Sequence, residues 1–162
     1  MEEKNYILSD EIVFDSKPIA VPYNYRISYK ISQLMLILSI CCSKGGCSLI
    51  KLHMISMAFN SNEAMEQLRN LSNGQLTEVP VIRFDPAVTR AALFAKSENL
   101  IVQQKDGKLR LSSIGKNYVT SIMQEEDLMI REKRFLSEIS TKITEGTIKE
   151  IMPNWRYQNV TN

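Results

Sequence analysis

A single histidine, His53, stands in this chain of 162 residues. No histidine pair is possible, and no Ser–His–acid set can be assembled beyond coincidence. The three cysteines, Cys41, Cys42 and Cys47, are few and odd in number. That argues against a complete disulfide framework and fits a reducing compartment. With His53 they could be drawn as a zinc site, but their spacing is unlike paired Cys-x2-Cys knuckles. Cys41 and Cys42, adjacent on a helix, also point in different directions, so buried free thiols are expected and no metal. Glycine is sparse, and no phosphate loop emerges. Gly45-Gly46 precedes a helix start at Ser48, but Cys47-Ser48-Leu49 lacks the Gly-Lys-Ser/Thr signature and follows a helix, not a strand. No apolar run reaches the ~20 residues that cross a bilayer; the longest, Leu34 to Cys42, is interrupted by Ser39. Met1-Glu2-Glu3-Lys4 is not followed by the apolar stretch of a secretory signal, so a cytoplasmic location without membrane association is expected. Neither an internal repeat nor a low-complexity tract is present. The net charge of +2 is too small to predict nucleic-acid binding. These absences point away from an enzyme and from a cofactor.

What is present is helical patterning. An arm over residues 1–24 includes a short edge-strand pattern at Glu11–Asp15, broken by Pro18 and Pro22. A first helix is predicted from Tyr25 to Ser43, with Ile27, Ile31, Leu34, Leu38 and Cys41 as its stripe and Met35, Ile37 and Ile40 widening it. Gly45 is expected to supply its left-handed cap. Ser48 caps a second helix to about Phe59, where Leu49, Leu52, Ile55 and Phe59 share a face and Met54, Met57 and Ala58 fill another. A third helix starts near Ser61, faces Met65, Leu68 and Leu71 inward and closes at Asn73-Gly74. Asn60 with Glu63 loosely fits a capping box there. Past Met123 a long polar helix is predicted, with Leu128, Phe135, Leu136, Ile139 and Ile143 as its stripe and a favoured Glu138–Lys142 pair. Gly146 breaks it, a short segment from Thr147 to Met152 follows, and Pro153-Asn154-Trp155 ends regular structure.

The most informative stretch is Val79 to Met123. Val79-Pro80-Val81-Ile82-Arg83-Phe84 reads as a strand that Pro80 confines to an edge or a strand start. Asp85-Pro86 opens a helix: the carboxylate can accept from first-turn amides, and proline presets φ at the first helical position. Ala87, Val88, Ala91, Ala92 and Ala95 let that helix sit close to its neighbours, and Asn99 can stop it in a left-handed conformation. Leu100-Ile101-Val102 and Leu109-Arg110-Leu111 flank Lys105-Asp106-Gly107-Lys108, which predicts a two-residue hairpin turn with positive φ at both central residues. Ser112 and Ser113 open a further helix with a hydroxyl cap. The fold class is therefore mainly α (α+β): a helical domain over residues 25–123 with a winged-helix-like hairpin, then a C-terminal helix and tail over 124–162.

Charge and exposed apolar residues supply the candidate sites. Arg83, Arg90, Lys96, Lys105, Lys108, Arg110 and Lys116 gather around the hairpin, against Asp85, Glu98 and Asp106. Arg90, Lys96, Lys105, Lys108, Arg110 and Lys116 are the candidate DNA contacts, with an ordinary solvated face as the alternative. The helix before the hairpin holds the position of a recognition helix, yet Thr89, Arg90, Lys96 and Asn99 are few side chains for reading base edges. Met54, Met57 and Trp155 are candidate partner contacts. Methionines suit adaptable interfaces as well as cores, and Trp155 either pins the tail or anchors a partner.

Pro22-Tyr23-Asn24-Tyr25-Arg26, Gln33-Leu34-Met35-Leu36-Ile37-Leu38, the Gly45-Gly46 turn and Ser48-Leu49-Ile50-Lys51-Leu52-His53 resemble the middle component of three-component ABC-ATPase systems, among them Lamassu-type anti-phage defence. The wing-like half and the tail near Trp155 are similar too, so the resemblance covers about residues 22–155. It implies a non-catalytic adaptor that bridges the heads of an SMC/Rad50-like ABC ATPase and holds an effector nuclease until foreign DNA is sensed; the basic wing, read from its charge, is expected to touch double-stranded DNA without sequence preference. It brings no catalytic residues. A free-standing winged-helix transcriptional regulator, dimeric through the C-terminal helix, is the alternative.

Overall fold

The computed structural model describes Pro22, residues 26–75 and residues 83–158, the last five as backbone alone. The arm with its Glu11–Asp15 strand, and most of the strand predicted from Val79, lie outside the described residues. The described part is mainly helical with one small antiparallel sheet. In chain order it comprises α1 (Ile27–Ile40), α2 (Leu49–Ala58), α3 (Asn62–Ser72), α4 (Pro86–Ser97), β1 (Ile101–Gln103), β2 (Leu109–Leu111), α5 (Ser113–Gln124), α6 (Ile130–Ile139), a 3-10 turn (Ser140–Lys142) and α7 (Glu145–Gln158).

Local chemistry explains where these helices begin. Ser48, Ser61 and Ser112 each accept, through the side-chain oxygen, the backbone N–H three residues on, and Asp85 accepts from Ala87 N at 2.8 Å. Each satisfies an amide that a helix start leaves without an intrahelical partner. At Ser61 the serine itself is the cap, rather than Asn60. Asn99 takes φ 56° after α4, as its position predicts.

The core is built around α1. Gln33 through Leu38 are buried without interruption, so this helix is enclosed on every side. It packs against α2, α4, α5 and α6, most extensively against α4. There Val88, Ala91, Ala92 and Ala95 are buried, and their small side chains allow close approach. From α6, Phe135, Leu136 and Ile139 enter the same core. The end of α1 differs from the expected glycine cap. The helix stops at Ile40, and the buried ammonium of Lys51 donates to the Cys41 carbonyl at 2.8 Å. A cation is favoured at a helix C-terminus. Gly46, not Gly45, has the positive φ of 83°. A Cβ on Gly46 would lie 2.8 Å from the Leu109 carbonyl oxygen, so only glycine fits between this loop and the hairpin.

The hairpin pairs Ile101 with Leu111, Val102 with Arg110 and Gln103 with Leu109. Its turn is one residue longer than predicted. Gly107 N donates to Gln104 O and Gln104 N to Lys108 O, while Gly107 alone has positive φ. This is a three-residue loop with glycine in the left-handed position. Asp106 serves it by accepting from Lys108 N through Oδ1. The third partner of the sheet is Cys47, which exchanges both backbone hydrogen bonds with Leu109 (2.8 and 2.9 Å). Arg83 and Phe84, the described end of the expected strand, are irregular. The order α1, Cys47 bridge, α2, α4, hairpin is thus winged-helix-like, with α3 interposed.

The predicted long C-terminal helix is shorter, reduced to α6 and a 3-10 turn, and the short segment expected after Gly146 is the longer helix α7. Met129 (φ 54°) and Ser140 (φ 43°) turn the chain before and after α6. A straight helix could not lay both Phe135–Leu136–Ile139 and Ile143–Ile148–Ile151 on one body, and all six are buried. Glu138 pairs with Arg69 of α3 (2.8 Å), and Lys142 lies beyond the helix end. Gly146 and Pro153 both fall inside α7 instead of ending regular structure.

Candidate functional site

Beneath α4 lies a chain of buried polar side chains. Tyr29 OH donates to Glu132 Oε1 (2.8 Å), and Gln33 Nε2 donates to Tyr29 OH (3.2 Å). Ser56 Oγ donates to Gln33 Oε1 (2.5 Å), Lys30 Nζ to Ser56 Oγ (3.2 Å), and Lys30 Nζ pairs with Asp85 Oδ2 (3.3 Å). Asp85 N in turn donates to His53 Nδ1 (3.2 Å). The accepting Nδ1 places the imidazole proton on Nε2, which faces Thr89 Oγ1 at 3.3 Å. Lys30, Gln33, His53, Ser56 and Glu132 are all buried. Such groups are stable inside only when paired. The network ties α6, α1 and α2 to the first turn of α4.

His53 is therefore an interior residue that positions α4. Burial lowers its pKa, Lys30 adds to that, and Asp85 opposes it. The thiols are equally enclosed. Burial, with neighbouring Cys42, pushes Cys41 up to about 12. Cys47 is also raised, by its hydrogen bond with Cys42 and then by burial. Neither is a thiolate near neutral pH, the form in which cysteine attacks or ligates. Among the described residues no three His, Cys, Asp or Glu side chains are grouped to hold a metal ion.

The outer face of α4 carries large apolar side chains beside exposed Arg90 and Lys96. Phe84 is 56% exposed, Leu93 64% and Phe94 49%. Phe84, Pro86, Thr89, Arg90 and Leu93 line a shallow groove of about 410 Å³. Phe84 also packs edge-on against His53, with centroids 4.9 Å apart. The buried network thus holds the residue that opens this face. Scattered apolar side chains on a surface are ordinary, but a contiguous group rimmed by polar residues marks a contact site.

The six candidate DNA contacts divide among three places. Arg90 belongs to the α4 groove. Lys96 donates to Gln103 Oε1 (2.8 Å) beside β1, and Lys105 and Lys108 occupy the hairpin turn, where Lys108 pairs with Asp106 (3.1 Å). Arg110 and Lys116 face a separate groove between the end of α1, β2 and α5, and Lys44 joins them there. Sequence spacing did not reveal Lys44, which lies more than sixty residues away from that pair. Of the candidate partner contacts, Met54 is buried in the core and so is absent from the surface where it was expected. Met57 is half-buried, with Sδ accepting from Arg83 N at 2.9 Å. Trp155 lies in α7, its side chain outside the described residues. Phe84, Leu93 and Phe94 were among the missed surface residues, with Ile114, Met123 and Ile130, and Leu128, expected in an apolar stripe, is exposed as well; Leu93 and Phe94 follow two alanines in a helical pattern, and only their phase relative to Ala91 and Ala95 could have set them outside.

No family model matches this sequence, and no curated protein or solved structure matches it.

Proposed function

We propose that the chain is a non-catalytic adaptor subunit, docking an SMC/Rad50-like ABC ATPase through the outer face of α4 and holding an effector nuclease in the same anti-phage defence complex. The observation that carries this reading is the set of exposed apolar side chains formed by Leu93 and Phe94 of α4 and by Phe84 just before it, on a helix whose inner face is packed. In a winged-helix reader of DNA this helix presents polar groups to base edges. Here its outer face offers Leu93 and Phe94 beside Thr89 and Arg90, and burying a side chain such as Leu93 or Phe94 against a partner is worth about 1.5–3 kcal/mol each. The sequence resemblance supplies the class of partner.

Co-expression with the neighbouring genes tests the reading. The wild-type chain is expected to co-purify with a coiled-coil ATPase, and Leu93→Asp with Phe94→Asp is expected to lose it while keeping the thermal stability of the free chain. Retention of the ATPase by that variant would contradict the α4 docking face.

The second reading, a free-standing regulator, is favoured by the basic groove beside the hairpin. It predicts tight binding of a short palindrome by the chain alone. Among the described residues α6 and α7 both contribute buried residues to the core, so a dimer of that kind would use their outer faces.

A further inference from the structure

From the groove lined by Lys44, Arg110 and Lys116 we infer a binding site for the sugar–phosphate backbone of duplex DNA, distinct from the α4 face and independent of the adaptor reading. The groove holds about 520 Å³ and is walled by Leu38, Leu109 and Leu111. All three cations are exposed, and none has an ion-pair partner among the described residues, where the pairs are Lys30–Asp85, Arg69–Glu66, Arg69–Glu138 and Lys108–Asp106. Among the described residues no acidic side chain lines the groove. The end of α1 would otherwise bring partial negative charge here, but the Lys51 ammonium, held on the Cys41 carbonyl, offsets it. On the opposite wall Lys116 sits in the first turn of α5, the positive end of that helix dipole.

The arrangement selects among anions. A single phosphate is usually cradled by converging backbone amides. Two of the loop amides here are already committed, since Gly46 N donates to Ser43 O and Cys47 N to Leu109 O. The cations instead come from three elements, a loop, a strand and a helix, as suits a polymer with repeated charges. Single-stranded nucleic acid is held largely by stacking on aromatic side chains, and among the described residues no aromatic lines this groove. Duplex DNA, recognised through its backbone without base readout, needs only spaced cations. The hairpin turn is a poorer candidate, because Lys108 is neutralised by Asp106 and leaves Lys105 alone.

Three phosphate contacts predict a log–log salt slope of about −2.7, so affinity should fall about 40-fold between 50 and 200 mM salt. The experiment is fluorescence anisotropy of the full chain with a labelled 30-base-pair duplex across that range. Arg110→Gln with Lys116→Gln is expected to reduce the slope to about −0.9, and adding Lys44→Gln to abolish binding; each replaces an exposed side chain, and a thermal melt checks the fold. Lys105→Gln with Lys108→Gln should leave both affinity and slope within about twofold of wild type. The inference is overturned if the wild-type chain does not bind, if the triple variant binds as wild type does, or if the hairpin-turn variant removes binding. It is overturned equally if single-stranded DNA, duplex RNA or poly-glutamate binds more tightly than the DNA duplex. Loss of the ATPase on changing Leu93 and Phe94, with DNA binding intact, would leave this site standing, so the two proposals fail separately.

Discussion

Asp85 does three things at once. Its Oδ1 caps α4, its Oδ2 meets the buried Lys30 ammonium, and its N–H is held by His53. Only the first was legible in the sequence, because a cap is a contact between neighbours. The others join residues 32 and 55 positions apart, and nothing local marks them. Replacing Asp85 by alanine removes a cap worth about 1 kcal/mol and leaves Lys30 without its anion. Since Asp85 is itself partly exposed, water screens part of that second loss, and chemical denaturation should show a total of about 2–3 kcal/mol. His53 carries a pH signature. Its folded pKa is below the ordinary 6.5, so in the window from 6.5 down to the folded value the unfolded chain binds more protons. Stability should be complete above that window and fall as pH drops through it. His53→Gln should flatten the wild-type slope in this window, and an unchanged slope would assign the effect to another group.

Among the elements, the hairpin and α5 are coupled through Gly115. A Cβ there would stand 2.0 Å from the Leu100 carbonyl oxygen, which already accepts from Ser112 N. Helix propensity alone makes Gly→Ala favourable by about 1 kcal/mol. Here the clash should win: Gly115→Ala is expected to destabilise by about 3 kcal/mol and lower Tm by about 10 °C in calorimetry. Gly146→Ala, in the first turn of α7 with only the Thr144 hydroxyl 3.3 Å away, should be neutral or mildly stabilising. The starts of α2, α3, α4 and α5 were readable, since each rests on one serine or aspartate beside its own amides. The breaks at Met129 and Ser140 were not. Both are non-glycine residues with positive φ, imposed by the need to bury Phe135 and Ile148 together. The hairpin lay between: Asp106-Gly107 marked it, but the accepting position of Gln104 that lengthens the turn did not show.

On the scale of the whole molecule, the chain separates two surfaces around one hairpin. One flank is the outer face of α4, held from below by His53 and Asp85; the other is the basic groove of Lys44, Arg110 and Lys116. The basic residues were visible in the sequence as a single population, and only folding divides them. The outer face was hidden because α4 reads as a helix of small core residues, with its two large side chains falling on the outside. A helix packed this closely to α1 on one side and bare on the other fits a subunit that receives a partner. The most direct test is the mass, by size exclusion with light scattering, of the chain co-expressed with an SMC/Rad50-like ATPase sought among its neighbouring genes. The account predicts a stable assembly containing both proteins, which Leu93→Asp with Phe94→Asp splits into its parts. A chain that elutes alone as a monomer or dimer, with the ATPase present and folded, would contradict it.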